Sequence, residues 1–585
     1  MIYADIIIDI SSDKLDRSFQ YRVPERLEKK IKAGMVAAIP FGNAGRVRKG
    51  YVIGLSDKPK IAPEKIKEIS EICSGEETTE SRLIALAAWM RENYGSTMIQ
   101  ALRTVLPIQE KIKAKEKKYI CLDISEEAGT QLLKELEQTR FKARTRLLRE
   151  LLEKKRLDYT HAAKELGTTS AVVKKFQEQG IIRIEYDEIM RTSLNTGDIS
   201  GERRMPLTDE QEAAVKQIQR EWKNPSPKPV LIEGVTGSGK TQVYIKLIEQ
   251  TLSQGKEAIV LIPEIALTYQ TVRRFYARFG DKVSVINSRQ SQGERYDQFK
   301  RAKKGEVQVM IGPRSALFTP FASLGLIIID EEHESSYKSE STPRYHARET
   351  AIRRAVLEHA NVVMGSATPS VEAYSKAMNG EYSLVRLTTR YGSRPLPRVS
   401  IVDLREELKA GNRSVLSREL RQKMKGRFEK KEQVMLFLNR RGYAGFVSCR
   451  SCGHVMKCPH CDVSLSEHNN ERLLCHYCGY ETGKPRICPV CGSPYIGGFK
   501  AGTQQIEDIV KAQFPQARVL RMDMDTTRQK DGHEKILSAF ANGEADVLVG
   551  TQMIVKGHDF PNVTLVGVLA ADMSLYSDDY RSGER

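Results

Sequence analysis

The sequence predicts a mainly α/β protein built from several domains, and three features of the chain support this fold class. From Pro206 onward, apolar runs of strand length alternate with helical segments, as in a doubly wound α/β domain. A cysteine-rich stretch at residues 449–491 interrupts this alternation, which resumes after it. Residues 1–105 carry short apolar runs between turn residues, which indicate a small β-rich domain. A chain of 585 residues has room for about three to five domains.

The amino-terminal region is predicted to contain strands followed by a linker. The candidate strands are short apolar runs, and they are Asp5–Ile10, Phe19–Val23, Val36–Pro40 and Gly50–Leu55. Residues 110–118 are mostly Lys and Glu, and we interpret this run of charge as a solvated linker. We therefore expect the first domain to span residues 1–108.

Residues 143–187 predict helix, helix, turn, helix and strand, the element order of a winged helix. The signals are helical leucine spacing, two capping positions, a glycine stop and an alternating strand. They are found at Leu147–Leu152, Thr160, Gly167, Thr169 or Ser170, and Ile181–Tyr186. Lys174 and Lys175 lie on the third helix and are predicted to contact DNA. Small helical trios also occur in proteins that bind no DNA, so that alternative stays open. We expect residues 109–200 to hold this domain and a polar linker near residues 193–201.

The charge of the chain favours a polyanionic partner. Lys and Arg number 93 against 75 Asp and Glu, which gives a formal net charge of +18. Such an excess suits nucleic acid, because Lys and Arg displace counterions from phosphates. A generic basic protein is the alternative. No window reaches the roughly 18 apolar residues of a membrane span, and Asp5 and Asp9 argue against a secretory signal. We expect a cytoplasmic protein with reduced thiols.

A complete phosphate-binding loop follows an apolar strand at residues 229–233. The sequence Gly234-Val-Thr-Gly-Ser-Gly-Lys-Thr241 matches G-x-x-x-x-G-K-[ST] and leads into a helical run. Gly234, Gly237 and Gly239 let backbone amides approach the phosphates of ATP, and the helix N-terminus adds positive potential. Lys240 is predicted to reach the terminal phosphates and Thr241 to ligate Mg²⁺.

A second acidic motif completes the predicted nucleotide site. The apolar run Leu324–Ile329 is followed by Asp330, Glu331, Glu332 and His333. Buried parallel strands place such residues at the carboxyl edge of a sheet. Asp330 is predicted to hold Mg²⁺ and Glu331 to activate the attacking water. His333 is interpreted as a coupling residue, with an ordinary surface histidine as the alternative.

Eight of the ten cysteines form four C-x-x-C pairs, each able to give two thiolates to a tetrahedral Zn²⁺. The pairs are Cys449/Cys452, Cys458/Cys461, Cys475/Cys478 and Cys488/Cys491. We expect two closed, structural zinc sites with four cysteine ligands each. The 13 residues between the second and third pairs favour a nested arrangement, with the first and fourth pairs on one zinc. Adjacent pairing is the alternative, and it leaves a tight loop of five residues between the first two pairs.

Several motifs resemble those of superfamily-2 helicases. Asp330-Glu-Glu-His333 together with Gly365-Ser-Ala-Thr-Pro369 carries this resemblance, and Ser366 and Thr368 resemble residues that couple the nucleotide site to a second lobe. Further similar motifs lie at residues 263–270, 312–318, 439–443 and 550–558. The resemblance implies a DNA-backbone contact for Arg314 and an adenine contact for Gln211.

Over nearly the whole chain, the resemblance is to the PriA (primosomal protein N′) family of bacterial replication-restart helicases. Its most specific stretch is residues 335–348, which are similar to that family's aromatic-rich loop. Tyr337 and Tyr345 are predicted to offer π-faces to unstacked bases. Positive charge is expected from Lys338, Arg344 and Arg348. An exposed loop with incidental aromatic residues is the alternative.

The amino-terminal strands resemble the domain with which this family binds a DNA 3′ end. The similar segments are residues 19–24 and 36–42, and Lys67 resembles the basic residue of the end-capturing pocket. Family members commonly carry Asp where this chain has Gln20, which puts the pocket in question. A plain β-core that buries Phe19 and Tyr21 is the alternative.

The family resemblance implies two RecA-like helicase lobes at residues 201–400 and 401–585, the second with a zinc-ribbon-like insertion at 445–498. It implies an ATP-dependent 3′-to-5′ DNA helicase that recognises stalled or branched forks and initiates primosome assembly for replication restart. Expected cofactors are ATP, Mg²⁺ and two Zn²⁺. Expected partners are branched and single-stranded DNA, primosome proteins, single-stranded-DNA-binding protein and a helicase loader, in a nucleoid-associated location. The alternatives are a superfamily-2 translocase on duplex DNA or RNA and a non-enzymatic DNA-binding protein.

Family helicases continue into a Q-x-x-G-R-x-G-R motif, whose arginines reach the γ-phosphate, and then into a final DNA-binding domain. The sequence stops at Arg585, ahead of that motif. We therefore expect a fragment of a longer protein that binds ATP and DNA but hydrolyses ATP poorly, since an arginine finger contributes about 10³–10⁵ in rate.

Overall fold

The computed structural model describes most of the chain. The described residues are 2–8, 17–32, 35–42, 46–74, 79–106, 115–138, 141–189, 206–264, 269–288, 290–393, 395–438, 446–468, 472–498, 502–523, 525–527, 532–551, 554, 560–576 and 581–584. Among the helices in these ranges, none has the length and apolar character needed to cross a membrane.

The amino-terminal part is a five-stranded antiparallel sheet with the strand order β2-β1-β4-β3-β5. Its elements are β1 (Tyr3–Ile8), β2 (Phe19–Arg22), α1 (Glu25–Glu28), β3 (Val36–Phe41), β4 (Arg46–Ser56) and β5 (Glu71–Ser74). Ile6, Ile39 and Val52 are fully buried at its centre. The four predicted strands are confirmed, and β5 is an addition.

Two helices follow this sheet where the sequence had predicted only a β-rich domain up to residue 105. They are α2 (Thr79–Tyr94) and α3 (Met98–Val105). The β-rich prediction is wrong here because Leu83, Leu86, Ala87 and Met90 follow helical spacing and are all buried. They pack in one hydrophobic cluster with residues of the α/β lobe that follows, including Ile327.

The next unit has the elements of a winged helix. They are β6 (Lys115–Leu122), α4 (Glu126–Glu137), α5 (Lys142–Lys154), β7 (Arg156–Asp158), α6 (Tyr159–Lys164), α7 (Ser170–Glu178) and β8 (Ile182–Ile189), with the antiparallel order β7-β6-β8. The predicted solvated linker is wrong for Lys115–Lys118, which pair with residues 186–189 of β8. Asp158, and not Thr160, caps α6. The predicted polar linker at 193–201 lies outside the described residues.

The first RecA-like lobe is a seven-stranded parallel sheet with the order β11-β12-β10-β13-β14-β9-β15. Its elements are α8 (Asp209–Trp222), β9 (Val230–Gly234), α9 (Lys240–Ser253), β10 (Glu257–Leu261), α10 (Tyr269–Phe279), β11 (Val283–Val285), α11 (Gln292–Lys303), β12 (Val309–Gly312), β13 (Leu324–Asp330), α12 (Ala347–Glu358), β14 (Asn361–Ser366), α13 (Val371–Met378) and β15 (Ser383–Leu387). Its central strands are apolar and buried on both faces, as in sheets covered by helices on each side.

The second lobe holds a four-stranded parallel sheet, β22-β23-β16-β24, interrupted by the cysteine-rich insertion. The lobe comprises α14 (Leu404–Lys409), α15 (Arg418–Glu429), β16 (Gln433–Leu438), α16 (Thr503–Gln513), β22 (Val519–Met522), α17 (Gly532–Ala541), β23 (Val547–Gly550) and β24 (Val563–Leu569). The insertion contains β17 (Val447–Cys449), β18 (Ser466–His468), β19 (Arg472–Leu474), β20 (Glu481–Gly483) and β21 (Ile496–Gly498). The predicted α/β class, with two lobes and an insertion in the second, is confirmed.

Candidate nucleotide, DNA and zinc sites

The phosphate-binding loop joins the end of β9 to the start of α9. Gly237 and Gly239 adopt left-handed backbone angles, with φ of +81° and +79°. Such angles suit glycine because it lacks a Cβ atom. In this loop the Lys240 ammonium donates to the Gly234 carbonyl oxygen at 2.8 Å. Thr236 and Gly237 are exposed, so the loop opens to solvent at the amino end of α9, where an anion is favoured.

Gln211 lies beneath this loop. Its side chain is 1% exposed. The amide nitrogen donates to the Ser238 carbonyl oxygen at 2.8 Å, and the amide oxygen accepts from the Thr208 backbone at 3.0 Å. Because both ends of the amide are engaged within the protein, Gln211 supports the loop, and its contact with adenine stays a prediction.

Asp330 ends β13 and faces α9 across the sheet edge. The Tyr244 hydroxyl donates to its carboxylate at 3.0 Å. Burial raises the pKa of Asp330 to about 6, with the Glu331 charge acting in the same direction and Lys240 and the Tyr244 hydroxyl opposing it. Sequence reasoning missed Tyr244. The available signal was its position on α9, three residues after the loop threonine Thr241.

Gly365 makes room for this tyrosine. A Cβ atom at that position would lie 1.8 Å from the Tyr244 hydroxyl oxygen. Any larger residue in this motif would therefore displace the ring that bonds to Asp330. The glycine of the Gly365-Ser-Ala-Thr motif thus has a steric role next to the acidic residues.

The acidic motif and the motif at 365–369 are in direct contact. His333 Nδ1 lies 2.7 Å from the Ser366 hydroxyl oxygen, and that oxygen also accepts from the Thr368 backbone at 3.0 Å. His333 Nδ1 is 3.6 Å from a Glu331 carboxylate oxygen. The geometry brings together the residues predicted to hydrolyse ATP and those predicted to couple the nucleotide site to the second lobe.

The two tyrosines of the aromatic-rich loop are buried, which corrects the prediction that they offer open π-faces. Tyr337 is 1% exposed and Tyr345 is 4% exposed. The Tyr337 hydroxyl lies 2.6 Å from the Asp330 carbonyl oxygen and 3.0 Å from that of Leu261. Tyr345 packs edge-on against Phe318, with ring centroids 5.4 Å apart. Both rings therefore support the loop from inside in this structure.

The charged residues of that loop divide into buried and exposed ones. Arg348 is also a correction, because it is buried and forms an ion pair with the buried Glu332. Lys338 and Arg344 are exposed, as predicted for residues that meet DNA. The Lys338 ammonium lies 5.1 Å from the centre of the Tyr94 ring. Arg314 donates to the backbone carbonyls of Ser336 and Lys338 at 2.9 and 2.8 Å.

The other predicted DNA contacts are placed as follows. Lys174 and Lys175 are exposed on α7. Gln20 uses both ends of its amide on the backbone of residues 58–60, at 3.2 and 2.6 Å. Lys67 donates to the Gly42 carbonyl oxygen at 2.8 Å. Tyr21 is buried, whereas Phe19 is only half-buried against Phe41, so the β-core alternative holds for one of the two rings.

The eight cysteines form two separate clusters. One holds Cys449, Cys452, Cys488 and Cys491, and the other holds Cys458, Cys461, Cys475 and Cys478, with the sulfur atoms of each cluster within 4.8 Å of one another. This is the nested pairing. Two closed sets of four thiolates fit tetrahedral Zn²⁺ with no position open to water.

The residue after each knuckle explains its shape. Gly453, Asp462, Gly479 and Gly492 all have positive φ, and each backbone amide donates to the carbonyl of the first cysteine of its pair. Amides inside the knuckles also favour thiolate. The Cys478 amide, the strongest of several such contacts, lowers the pKa of Cys475 to about 7.

Some predicted motif residues lie outside the part of the chain that the structure describes. These are residues 265–268, 439–443, 552–553 and 555–558. Their predicted DNA and nucleotide contacts stay predictions.

Comparison with known families assigns the amino-terminal domain, both lobes and the cysteine-rich insertion. Family profiles match in four places: the PriA 3′ DNA-binding domain at residues 5–107, DEAD/DEAH box helicase at 208–377, the PriA DNA helicase Cys-rich region at 458–482, and the helicase conserved C-terminal domain at 498–583. The replication restart protein PriA of Bacillus subtilis is 40% identical over all of this chain and 80% of its own length. The chain belongs to the PriA family.

Other relatives agree with this assignment. The replication restart protein PriA of Synechocystis is 37% identical over the whole chain and 79% of its own length. A solved structure of RecG bound to a three-way DNA junction overlaps 62% of this chain and 38% of its own, with 16% identity and a TM-score of 0.35, which is too low to add to the assignment. This member of the PriA family is an ATP-dependent DNA helicase with a two-zinc Cys-rich region.

Proposed function

We propose that this chain is the motor of a replication-restart helicase that separates strands at stalled or branched forks with 3′-to-5′ polarity and initiates primosome assembly. The observation that carries this proposal is the joining, in one chain, of a 3′ DNA-binding domain to an ATP-binding helicase lobe through the packed helices α2 and α3. Such a connection suits a motor that is positioned on DNA when the attached domain binds a 3′ end.

The nucleotide is assigned to the loop at residues 234–241. Lys240 binds the terminal phosphates, and Thr241 and Asp330 hold Mg²⁺, which supplies charge neutralisation on the phosphates when bound. Glu331 orients the attacking water. The support for these roles is the position of Asp330 beside Lys240, whose charge acts on its pKa.

DNA is assigned to exposed basic residues of the first lobe and the winged helix. Lys338 and Arg344 are both exposed next to the acidic motif, and Arg314 supports the backbone of their loop. Lys174 and Lys175 form a second contact on α7. Partner proteins in this proposal are single-stranded-DNA-binding protein, primosome proteins and a helicase loader, and the site of action is the nucleoid in the cytoplasm.

Strand displacement by the protein expressed from its complete gene tests this function. The substrates are a forked DNA, a matched RNA and a blunt DNA duplex, each with ATP and Mg²⁺. We expect unwinding of the fork only, and a stronger response when the fork presents a 3′ leading-strand end. Equal activity on RNA, or tracking along blunt duplex without strand separation, would instead identify a general superfamily-2 translocase.

A further inference from the structure

We propose that Arg390 is a nucleotide-contacting residue whose guanidinium binds phosphate oxygens of the ATP or ADP held by the loop at 234–241. This inference rests on the proposed function, because it adds a ligand to the same site. The observations behind it are the position of the segment that follows β15, the packing of the guanidinium and the contacts that hold both in place.

The segment carrying Arg390 is attached to the phosphate-binding loop by backbone hydrogen bonds. Strand β15 is the sheet neighbour of β9, which leads into the loop. The Val235 amide donates to the Leu387 carbonyl at 3.0 Å, and the Tyr391 amide donates to the Gly237 carbonyl at 2.9 Å. The chain on either side of Arg390 is therefore tied to the loop itself.

The guanidinium of Arg390 lies against the exposed part of the loop. A Cβ atom at Gly237 would be 3.1 Å from its Nε atom and 3.4 Å from its Nη2 atom. Nη1 donates to the Pro395 carbonyl at 3.0 Å, and a guanidinium carries five N–H donors in all. Arg390 is partly exposed, which leaves its guanidinium accessible to a phosphate bound in the adjacent loop.

Glu210 positions this segment from the start of α8. Its carboxylate accepts from the backbone amides of Thr388 and Thr389 at 2.6 and 3.2 Å and from both of their hydroxyls. The next residue, Gln211, bonds to Ser238 inside the loop. The start of α8 thus fixes the loop and the Arg390 segment relative to each other. The guanidinium is therefore already in position before the ligand binds.

The chemistry of Arg390 selects phosphate over the other parts of the nucleotide. A guanidinium presents paired donors that match two oxygens of one phosphate, and such charge-assisted bonds are stronger than neutral ones. Its neighbour Gly237 belongs to the glycine-rich loop whose amides approach the phosphates. A guanidinium can also stack on the flat face of a base, so the test compares a nucleotide with a polyphosphate that has no base.

Ligand-induced thermal stabilisation of the 585-residue chain tests this assignment. The ligands are the Mg²⁺ complex of the β,γ-imido analogue of ATP and inorganic tripolyphosphate with Mg²⁺, and the proteins are wild type, Arg390→Gln and Arg220→Gln. Arg220 is an exposed arginine in the last turn of α8, far along the helix from Glu210, and serves as the control. We expect Arg390→Gln to raise the apparent Kd for both ligands by ~10-fold and Arg220→Gln to match wild type.

Each other outcome contradicts the assignment. Unchanged affinity of Arg390→Gln for both ligands would remove the contact, and a loss confined to the ATP analogue would move it from phosphate to base or ribose. Failure of wild type to bind either ligand would overturn the proposed function and this assignment with it. If Arg390→Gln is unstable without ligand, Arg390→Met keeps the apolar stem along the loop and is judged by the same outcomes.

Discussion

Asp330 is the residue at which the chemistry of the site is most sensitive to its surroundings. It ends a buried strand, it accepts a hydrogen bond from Tyr244, and its backbone carbonyl is 2.6 Å from the Tyr337 hydroxyl. A carboxylate in such a place resists ionisation because burial disfavours charge. The nearby Lys240 and the Tyr244 hydroxyl favour the charged form that Mg²⁺ requires.

Binding of the Mg²⁺–nucleotide complex is expected to weaken as pH falls through about 6. The pKa of Asp330 is raised from its ordinary value to about 6, so the group gains a proton below that pH, and the metal must then displace it. Far enough below 6, the apparent Kd rises about tenfold per pH unit. Titrations with Mg²⁺–ADP at several pH values measure this. The nucleotide itself also titrates, and it does so equally with wild type and with Asp330→Asn, so this variant is the control. An identical pH profile for the variant and wild type would contradict the prediction.

Tyr244→Phe is expected to shift the pH dependence upwards. The hydroxyl donates to the Asp330 carboxylate and lowers its pKa, so its removal raises the pKa further. We expect the pH at which affinity begins to fall to increase relative to wild type, with affinity near pH 8 little changed. Tyr276→Phe, which removes an exposed hydroxyl bonded to Asp281, is the matched control. A profile that superimposes on wild type would show that Tyr244 does not act through Asp330.

At the scale of elements, the aromatic-rich loop joins the nucleotide site to the amino-terminal helices. Its Tyr337 reaches the backbone at the end of β13, whereas Lys338 lies over the Tyr94 ring at the end of α2. These two adjacent residues thus contact two different units of the protein. The loop therefore has an inner structural side and an outer basic side.

Substitutions on the inner and outer sides of the loop are expected to have different effects on stability and on DNA binding. Tyr337→Ala removes a buried ring and is expected to lower the free energy of unfolding by about 3–5 kcal/mol. Arg344→Ala alters an exposed charge and is expected to leave thermal stability within about 0.5 kcal/mol while weakening single-stranded DNA binding and reducing its salt dependence. Denaturant unfolding and DNA titrations at several salt concentrations measure both. Loss of DNA affinity in a stably folded Tyr337→Ala, with Arg344→Ala unaffected, would contradict this division.

The nested zinc sites predict how metal content responds to pairs of substitutions. Cys449 and Cys488 belong to one cluster, whereas Cys458 belongs to the other. The double change Cys449→Ser with Cys488→Ser is expected to remove one zinc per chain, and Cys449→Ser with Cys458→Ser is expected to remove both. Metal analysis of the purified variants, with Cys121→Ser as a control outside the clusters, gives the count. Adjacent pairing would reverse the two results.

At the scale of the whole molecule, helices α2 and α3 of the matched 3′ DNA-binding domain pack directly against the motor. Leu83 and Met90 are buried in one hydrophobic cluster with residues of the first lobe such as Ile327. Arg82 adds an ion pair at 3.6 Å to Glu358, which is buried on α12. A continuous apolar core of this kind resists independent motion of the two parts, so the matched DNA-binding domain is held in a fixed position against the ATPase lobe.

The sequence predicted those features that local spacing determines. The phosphate-binding loop, the acidic residues after β13 and the C-x-x-C knuckles all depend on residues close together in the chain, and the structure has them where expected. The burial of Tyr337 and Tyr345 was not predictable in this way. It depends on packing against residues from β10 and residues 314–318, which are distant in sequence. The same holds for Arg390, which approaches Gly237 only because β15 lies beside β9.

The proposed mechanism depends most on coupling between ATP hydrolysis at the loop around Lys240 and the binding of DNA. The most direct measurement is the rate of ATP hydrolysis with and without single-stranded DNA, for the protein expressed from its complete gene and for its Lys240→Ala variant. We expect DNA to stimulate hydrolysis strongly in wild type, and the variant to bind DNA with normal affinity yet hydrolyse no ATP. Hydrolysis that ignores DNA, or persists undiminished in Lys240→Ala, would contradict this mechanism.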